Sequence, residues 1–168
     1  FLRLDKKEEE FKLLEELDNT HILDLGCGEL GPMIKLFNWG FAGTVEGYDY
    51  SKNMVEKANQ NVQGRLTTEV KGRIKADYGD ITDRKLQDRL LAKPKFNMIT
   101  LIDVLQDLPP SEIEHTIEWL VKLMPPEGKL FISILTENNM GFVADRAAKA
   151  LKAVQGLEVL EVRIAELN

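Results

Sequence analysis

Twelve residues, His21-Ile-Leu-Asp-Leu-Gly-Cys-Gly-Glu-Leu-Gly-Pro32, restrict the fold of this chain more than any other stretch. An apolar, strand-like run breaks into a turn with glycines at 26 and 28. Glycine takes positive φ at no steric penalty and lets other atoms approach the backbone closely. A strand that ends in such a turn and passes into a helix, read here over Met33 to Trp39, aims the first helical amides at whatever lies on the turn. Asp24 stands two places before the first of these glycines.

The remaining sequence alternates strand and helix patterns. Glu8 to Leu17 carries Phe11, Leu13, Leu14 and Leu17 at helical spacing. Ala42 to Tyr48 reads as a second strand, Ser51 to Gln60 as a helix capped by Ser51, and Arg73 to Ala76 as a third strand. Lys85 to Leu91 is helical, and Phe96 to Ile102 is a continuous apolar run suited to a strand buried on both faces. Ser111 to Met124 is the strongest helix: Ser111 and Glu114 spell a capping box, and Ile113, Ile117, Leu120, Val121 and Met124 form its apolar stripe. Lys129 to Leu135, Gly141 to Gln155 and Leu157 to Ile164 read as strand, helix and strand. Parallel strands need crossover connections, so this order predicts an α/β fold with a doubly wound, mainly parallel sheet and helices on both faces. A ligand belongs at the carboxyl ends of the strands, beside the first one.

At 168 residues and 43% hydrophobic content, the chain suits one domain spanning residues 1–168. The single cysteine, Cys27, excludes an internal disulfide or a zinc site of several thiolates. Glu112, Glu114 and His115 read as helix surface, and no metal is expected. No apolar run reaches eighteen residues, and Phe1-Leu-Arg-Leu-Asp5 lacks a signal-peptide core, which gives the expectation of a cytoplasmic protein without membrane contact. Net charge is −6, yet residues 65–95 hold nine basic side chains against five acidic ones. A nucleic-acid partner through this segment therefore ranks below a small-molecule one.

Asp24-Leu-Gly26-Cys-Gly28 resembles the first motif of class I S-adenosylmethionine-dependent methyltransferases, and three later segments follow in the family's order. Asp49, at the end of the second strand, matches the acidic residue that holds the ribose, and Tyr50 the neighbour that packs on adenine. Asp77-Tyr-Gly-Asp80-Ile81 is similar to the adenine-binding segment, with Asp80 and Ile81 the best fits. Phe96-Asn-Met-Ile-Thr-Leu-Ile-Asp103-Val-Leu-Gln106 resembles the fourth motif, whose end lines the methionine moiety and the acceptor. The resemblance implies S-adenosylmethionine as cofactor, bound by Asp24, Gly26, Cys27, Gly28, Asp49, Tyr50, Asp80, Ile81 and Asp103. It further implies methyl transfer to an oxygen or nitrogen of a small or modest-sized acceptor, with Asp103 and Gln106 as catalytic residues and walls at Leu105 to Pro110 and Thr136 to Phe142.

Three departures stand beside the match. The third glycine falls at Gly31, one place later than the common pattern, so Gly26-Cys-Gly28-Glu-Leu-Gly31 is also formally a dinucleotide fingerprint. Asn97 replaces an aspartate usual early in the fourth strand, and the antiparallel seventh strand of the full family fold has no sequence to make it. The alternatives are a non-catalytic methyltransferase-like module, an RNA 2′-O-methyltransferase, and an NAD-dependent oxidoreductase disfavoured by Asp24 and by the segment around Asp103.

Overall fold

The computed structural model describes residues 17, 19–136, 141–153 and 165–166. Its centre is β1 (His21–Leu25), all but its first residue buried. Parallel to it run β2 (Thr44–Asp49) on one side and β4 (Met98–Ile102) on the other, with β3 (Ile74–Tyr78) and β5 (Lys129–Ser133) outside them. The order β3-β2-β1-β4-β5 reverses direction between β1 and β4. That reversal opens the crevice in which such sheets bind ligands.

Alternation along the strands divides the core in two. Ile22, Val45, Ile74 and Ala76 face Met33, Ile34 and Phe37 of α1 (Gly31–Asn38) and Ala58 and Val62 of α2 (Lys52–Arg65). Leu23, Leu25, Tyr48, Ile99 and Leu101 face the opposite layer. A short α3 (Thr68–Lys71) precedes β3. The opposite layer comprises Leu86 and Leu90 of α4 (Arg84–Leu91), Ile113, Ile117 and Leu120 of α5 (Pro110–Val121), and Val143, Ala147 and Ala150 of α6 (Gly141–Ala153). Edge strand β3 is braced by Asn59, whose side-chain amide donates to the Ala76 carbonyl and accepts its N–H. Unpaired edge groups are thereby satisfied within the chain.

Several boundaries differ from the sequence reading. Helix α2 begins as expected, with the Ser51 hydroxyl accepting the Met54 N–H, but continues past Gln60 to Arg65. Helix α5 begins at Pro110, with Pro109 as an N-cap lacking any side-chain hydrogen bond, so the capping box of Ser111 and Glu114 does not form. Two prolines fix φ and lack N–H groups, which leaves a hydroxyl cap less to satisfy. The expected strand from 129 to 135 divides into β5 and β6 (Leu135–Thr136), and β6 pairs with β7 (Ala165–Glu166) in a separate two-stranded sheet. The helix read over Glu8 to Leu17 and the strand read over Leu157 to Ile164 lie outside the described residues, apart from Leu17.

The turn after β1 departs from the usual glycine pattern in an informative way. Leu30, not a glycine, takes the left-handed conformation at the start of α1, with φ 58°. That geometry costs a non-glycine residue about 1–2 kcal/mol, whereas fully burying a leucine stabilises by about 1.5–3 kcal/mol, so burial wins. Room for the buried side chain comes from the neighbouring strand. A Cβ on Gly47 would lie 2.8 Å from Cys27 Sγ and 3.0 Å from Leu30 Cδ2. Gly47→Ala should therefore lower stability by about 1–3 kcal/mol through overpacking. In chemical denaturation, adding Leu30→Ala should give a double variant less destabilised than the two single costs combined.

Candidate functional site

The turn that follows β1 is pinned to β2, because the Tyr48 carbonyl accepts the N–H groups of both Gly26 (2.8 Å) and Cys27 (3.1 Å). Gly26 and Gly28 both have positive φ, 68° and 51°, but for different surroundings. A Cβ on Gly26 would lie 2.3 Å from Val104 Cγ2, so this glycine admits the segment after β4. A Cβ on Gly28 would meet nothing within 4 Å, so this glycine borders open space. Gly31 also has nothing within 4 Å of an added Cβ and no positive φ. It therefore lacks the close helix–strand contact that the third glycine of a dinucleotide fingerprint serves.

Three carboxylates lie around this turn. Asp24 is buried on β1, and its carboxylate accepts the Thr100 hydroxyl at 2.6 Å, from the residue opposite it in register on β4. Burial pushes its carboxyl up to about 7; the Thr100 hydrogen bond opposes this and the Asp49 charge adds to it. Asp49, also buried, accepts the Gly28 N–H at 2.9 Å with Oδ2 and the Ser51 N–H at 2.8 Å with Oδ1. Asp49 is thus both a local turn acceptor and the clamp on the glycine turn, with lone pairs remaining on each oxygen. Asp103, one residue before Val104, has φ 56° and hydrogen-bonds to Ser133, the last residue of β5. The 3₁₀ turn (Leu105–Asp107) after it is capped at Val104 without a side-chain bond, so Asp103 is not a helix cap.

The other candidates fall at the same carboxyl ends. Tyr50 is 72% exposed beside Asp49, and Tyr78, which the sequence did not mark, is 49% exposed with the Lys52 ammonium 5.4 Å from its ring centroid. Asp80 is exposed and accepts both the N–H and the hydroxyl of Thr82, while Ile81 is buried against the core that includes Tyr48 and Leu86. Cys27 is buried, and burial pushes its thiol well up, which suits packing and opposes nucleophilic use. Gln106 carries a buried amide oxygen without a hydrogen-bond partner among the described residues. Such a group costs about 1–3 kcal/mol until a donor meets it. Residues 137–140 of the second expected wall lie outside the described residues.

Glu46, inside β2, is committed away from the turn: it pairs with Lys93, Lys75 (3.7 Å) and His21 (3.3 Å) and accepts the Tyr48 hydroxyl. Burial would raise its carboxyl, but Lys93 and Lys75 outweigh this and hold it below its usual range. The basic segment is not one free cationic face. Arg73 donates to the carbonyls of Phe41 and Gly43, Lys93 joins the Glu46 cluster, Arg89 stacks over Tyr48 and Lys95 donates to the Lys122 carbonyl.

A family profile described as a methyltransferase domain matches residues 16–159. No curated protein sequence matches the chain. Among solved structures, a TehB-like SAM-dependent methyltransferase from Corynebacterium glutamicum is 18% identical with TM-score 0.58, over 84% of this chain and 71% of that one. The [4+2]-cyclase SpnF is 19% identical with TM-score 0.66, over 87% and 56%. The glycopeptide N-methyltransferase MtfA, complexed with S-adenosyl-L-methionine, is 14% identical with TM-score 0.59, over 77% and 54%. The chain thus spans little more than half the length of the last two, and these likenesses are of fold.

The Asp24 carboxyl has a measurable consequence. In the unfolded chain it ionises near 3.8, whereas in the fold it keeps its proton to about 7. The folded state holds the extra proton between those values, so stability falls as pH rises from about 4 to about 7 and then levels, by on the order of 4 kcal/mol. Asp24→Asn, which still offers Thr100 an acceptor, should remove this slope. Urea unfolding at pH 4.5 and 8 should find the variant close to wild type at the lower pH and more stable at the higher.

Proposed function

The chain belongs to the methyltransferase domain family, and on that premise we propose that it binds S-adenosylmethionine and moves the methyl group to an oxygen or nitrogen of a small or modest-sized acceptor. The observation that carries this reading is the open face of Gly28, clamped by Asp49, in a turn whose other glycine, Gly26, packs against Val104, the residue after Asp103. The residues present fit the cofactor. Gly28 leaves open space above the turn where a side chain would otherwise stand, Asp49 keeps lone pairs for ribose hydroxyls, and Tyr50 offers an exposed aromatic face to a flat base. Asp80 and Ile81 follow β3, where an exocyclic amine and an adenine ring would be met, and Asp24 and Cys27 shape the turn from its buried side.

When bound, S-adenosylmethionine supplies a methyl carbon on a sulfonium, open to in-line displacement by an oxygen or nitrogen nucleophile. The residues of this chain contribute alignment and exclusion of water, which suffice for much of the acceleration in such a displacement. Asp103 accepts a hydrogen bond from the acceptor, and the orphaned Gln106 amide oxygen takes a second donor from it. The described residues contain no helix long and apolar enough to cross a membrane. A non-methylating use of the same fold is the second reading, favoured by the likeness to a cyclase. Equilibrium binding of S-adenosylmethionine, S-adenosylhomocysteine and NAD separates the readings. Binding of the first two with methyl turnover supports the proposal, binding without turnover on any acceptor supports the module, and binding of NAD alone discards both.

Gly28→Val should abolish S-adenosylhomocysteine binding in calorimetry while circular dichroism retains the wild-type helical content, because the new side chain fills that space. Asp49→Ala should weaken the same ligand by about 1.5–3 kcal/mol, roughly ten- to a hundredfold, since it removes ribose contacts and releases the Gly28 amide. Wild-type affinity in either variant would remove the turn from the binding site.

For the acceptor side, Asp103→Asn and Gln106→Ala should lower methyl-transfer rate while S-adenosylhomocysteine affinity stays within about a factor of three. A labelled methyl donor with a panel of amine and hydroxyl acceptors provides the assay. Unchanged turnover in both variants would move the acceptor site to the wall beginning at Thr136.

A further inference from the structure

Asp103 is held at two points by one residue. Its N–H donates to the Ser133 carbonyl (3.1 Å) and approaches the Ser133 Oγ (3.2 Å), and the Ser133 hydroxyl donates to Asp103 Oδ1 at 2.7 Å. Backbone and side chain are thereby fixed together at a left-handed φ that aspartate tolerates better than most residues. The hydroxyl proton is committed to Oδ1, and Oδ2 has no partner among the described residues. The neighbouring carboxylates differ from it in separate ways. Asp49 has a backbone amide on each oxygen. Asp24 also takes a hydroxyl on Oδ1, from Thr100, but it is buried within the sheet, and that burial raises its carboxyl to about 7, whereas Asp103 is only partly buried. Asp103 is also next to the turn, since the adjoining Val104 fills the space above Gly26.

We propose that Ser133 is a positioning residue that holds the Asp103 carboxylate ready for a cationic ligand on the glycine turn, so that the site favours the positively charged methyl donor over its neutral product. This inference rests on the donor-binding reading above. A sulfonium carries a full positive charge and the thioether left after transfer carries none. A fixed carboxylate oxygen beside a partly dehydrated site therefore stabilises the donor selectively. Free rotation of Asp103 would let water and backbone amides compete for the same oxygen, and the Ser133 hydroxyl prevents that rotation. Were Ser133 only closing the end of β5, its loss would weaken the fold and affect both ligands alike.

The test is calorimetry on the full chain with S-adenosylmethionine and S-adenosylhomocysteine, comparing wild type with Ser133→Ala, Ser133→Thr and Asp103→Asn. Ser133→Ala and Asp103→Asn should each weaken the donor by about five- to twentyfold and leave the product within about twofold, the scale of one charge-assisted hydrogen bond. Ser133→Thr keeps the hydroxyl and should retain the wild-type ratio of the two affinities. Equal losses for donor and product, or a ratio that does not move, overturns the role given to Ser133. Should Ser133→Ala fail to fold, Ser133→Cys, which keeps the side-chain size and donates only weakly, takes its place with the same expected fall in the ratio. Wild-type protein that binds neither ligand overturns the donor reading and this inference together, whereas intact binding with an insensitive ratio overturns this inference alone.

Discussion

Everything at the candidate site depends on β1 being enclosed on both faces and both edges. A strand with β2 and β4 on its sides and an apolar layer above and below has its backbone and side chains satisfied within the sheet, so its only outlet is along its own axis. The chain must turn there, and the Tyr48 carbonyl catches the first two amides of the turn. Strand order reverses beside this outlet, so no crossover covers it. Position of the site is thus a consequence of burying His21–Leu25, and the chemistry is added by whatever residues end the neighbouring strands.

Those residues were legible to different degrees. The alternation of apolar strands with helices identified the parallel sheet, and the glycines after the first strand marked the turn of the candidate site, because periodicity and turn chemistry are local properties. Asp49, Asp80 and Asp103 could be placed near strand ends for the same reason: Asp49 is the last residue of β2, Asp103 directly follows β4 and Asp80 lies two residues beyond β3. Partnerships across the sheet were not legible. Thr100 interrupts an apolar run and Ser133 closes one, which are the signals that mark them afterwards, but only register sets Thr100 against Asp24 and Ser133 beside Ile102 and Asp103. Leu30 escaped for a related reason, since the space for its side chain belongs to a glycine seventeen positions away. Counting the basic segment could not show which of its arginines and lysines bond carbonyls inside the fold, because charge totals carry no information on partners.

Electrostatics at the two ends of β2 follow opposite logics. Glu46 sits among cations and a tyrosine hydroxyl, so its charge is compensated and acts as internal bracing. Near the turn, Asp24, Asp49 and Asp103 gather without a basic partner among the described residues, and the fold copes by neutralising one and giving the other two backbone N–H and hydroxyl donors. A concentration of negative potential in a crevice favours a cationic visitor. Its maintenance through hydrogen bonds to amides and hydroxyls, and not through salt bridges, keeps the potential from being cancelled before the visitor arrives.

Asp49 also reaches further than its carboxylate. Its side chain holds Gly28 in the loop after β1 and Ser51 in the loop after β2, while its carbonyl accepts the Gly79 N–H in the loop after β3. Three loops that would otherwise fluctuate separately are joined through one residue, so opening one removes a constraint from the others and they behave as a single cooperative unit. Ordering that unit is an entropic charge a first contact can meet on behalf of later ones. A ligand that engaged Asp49 would therefore find the loops after β1 and β3 already stiffened, giving a molecule made of several weakly held parts an affinity that the parts do not have individually.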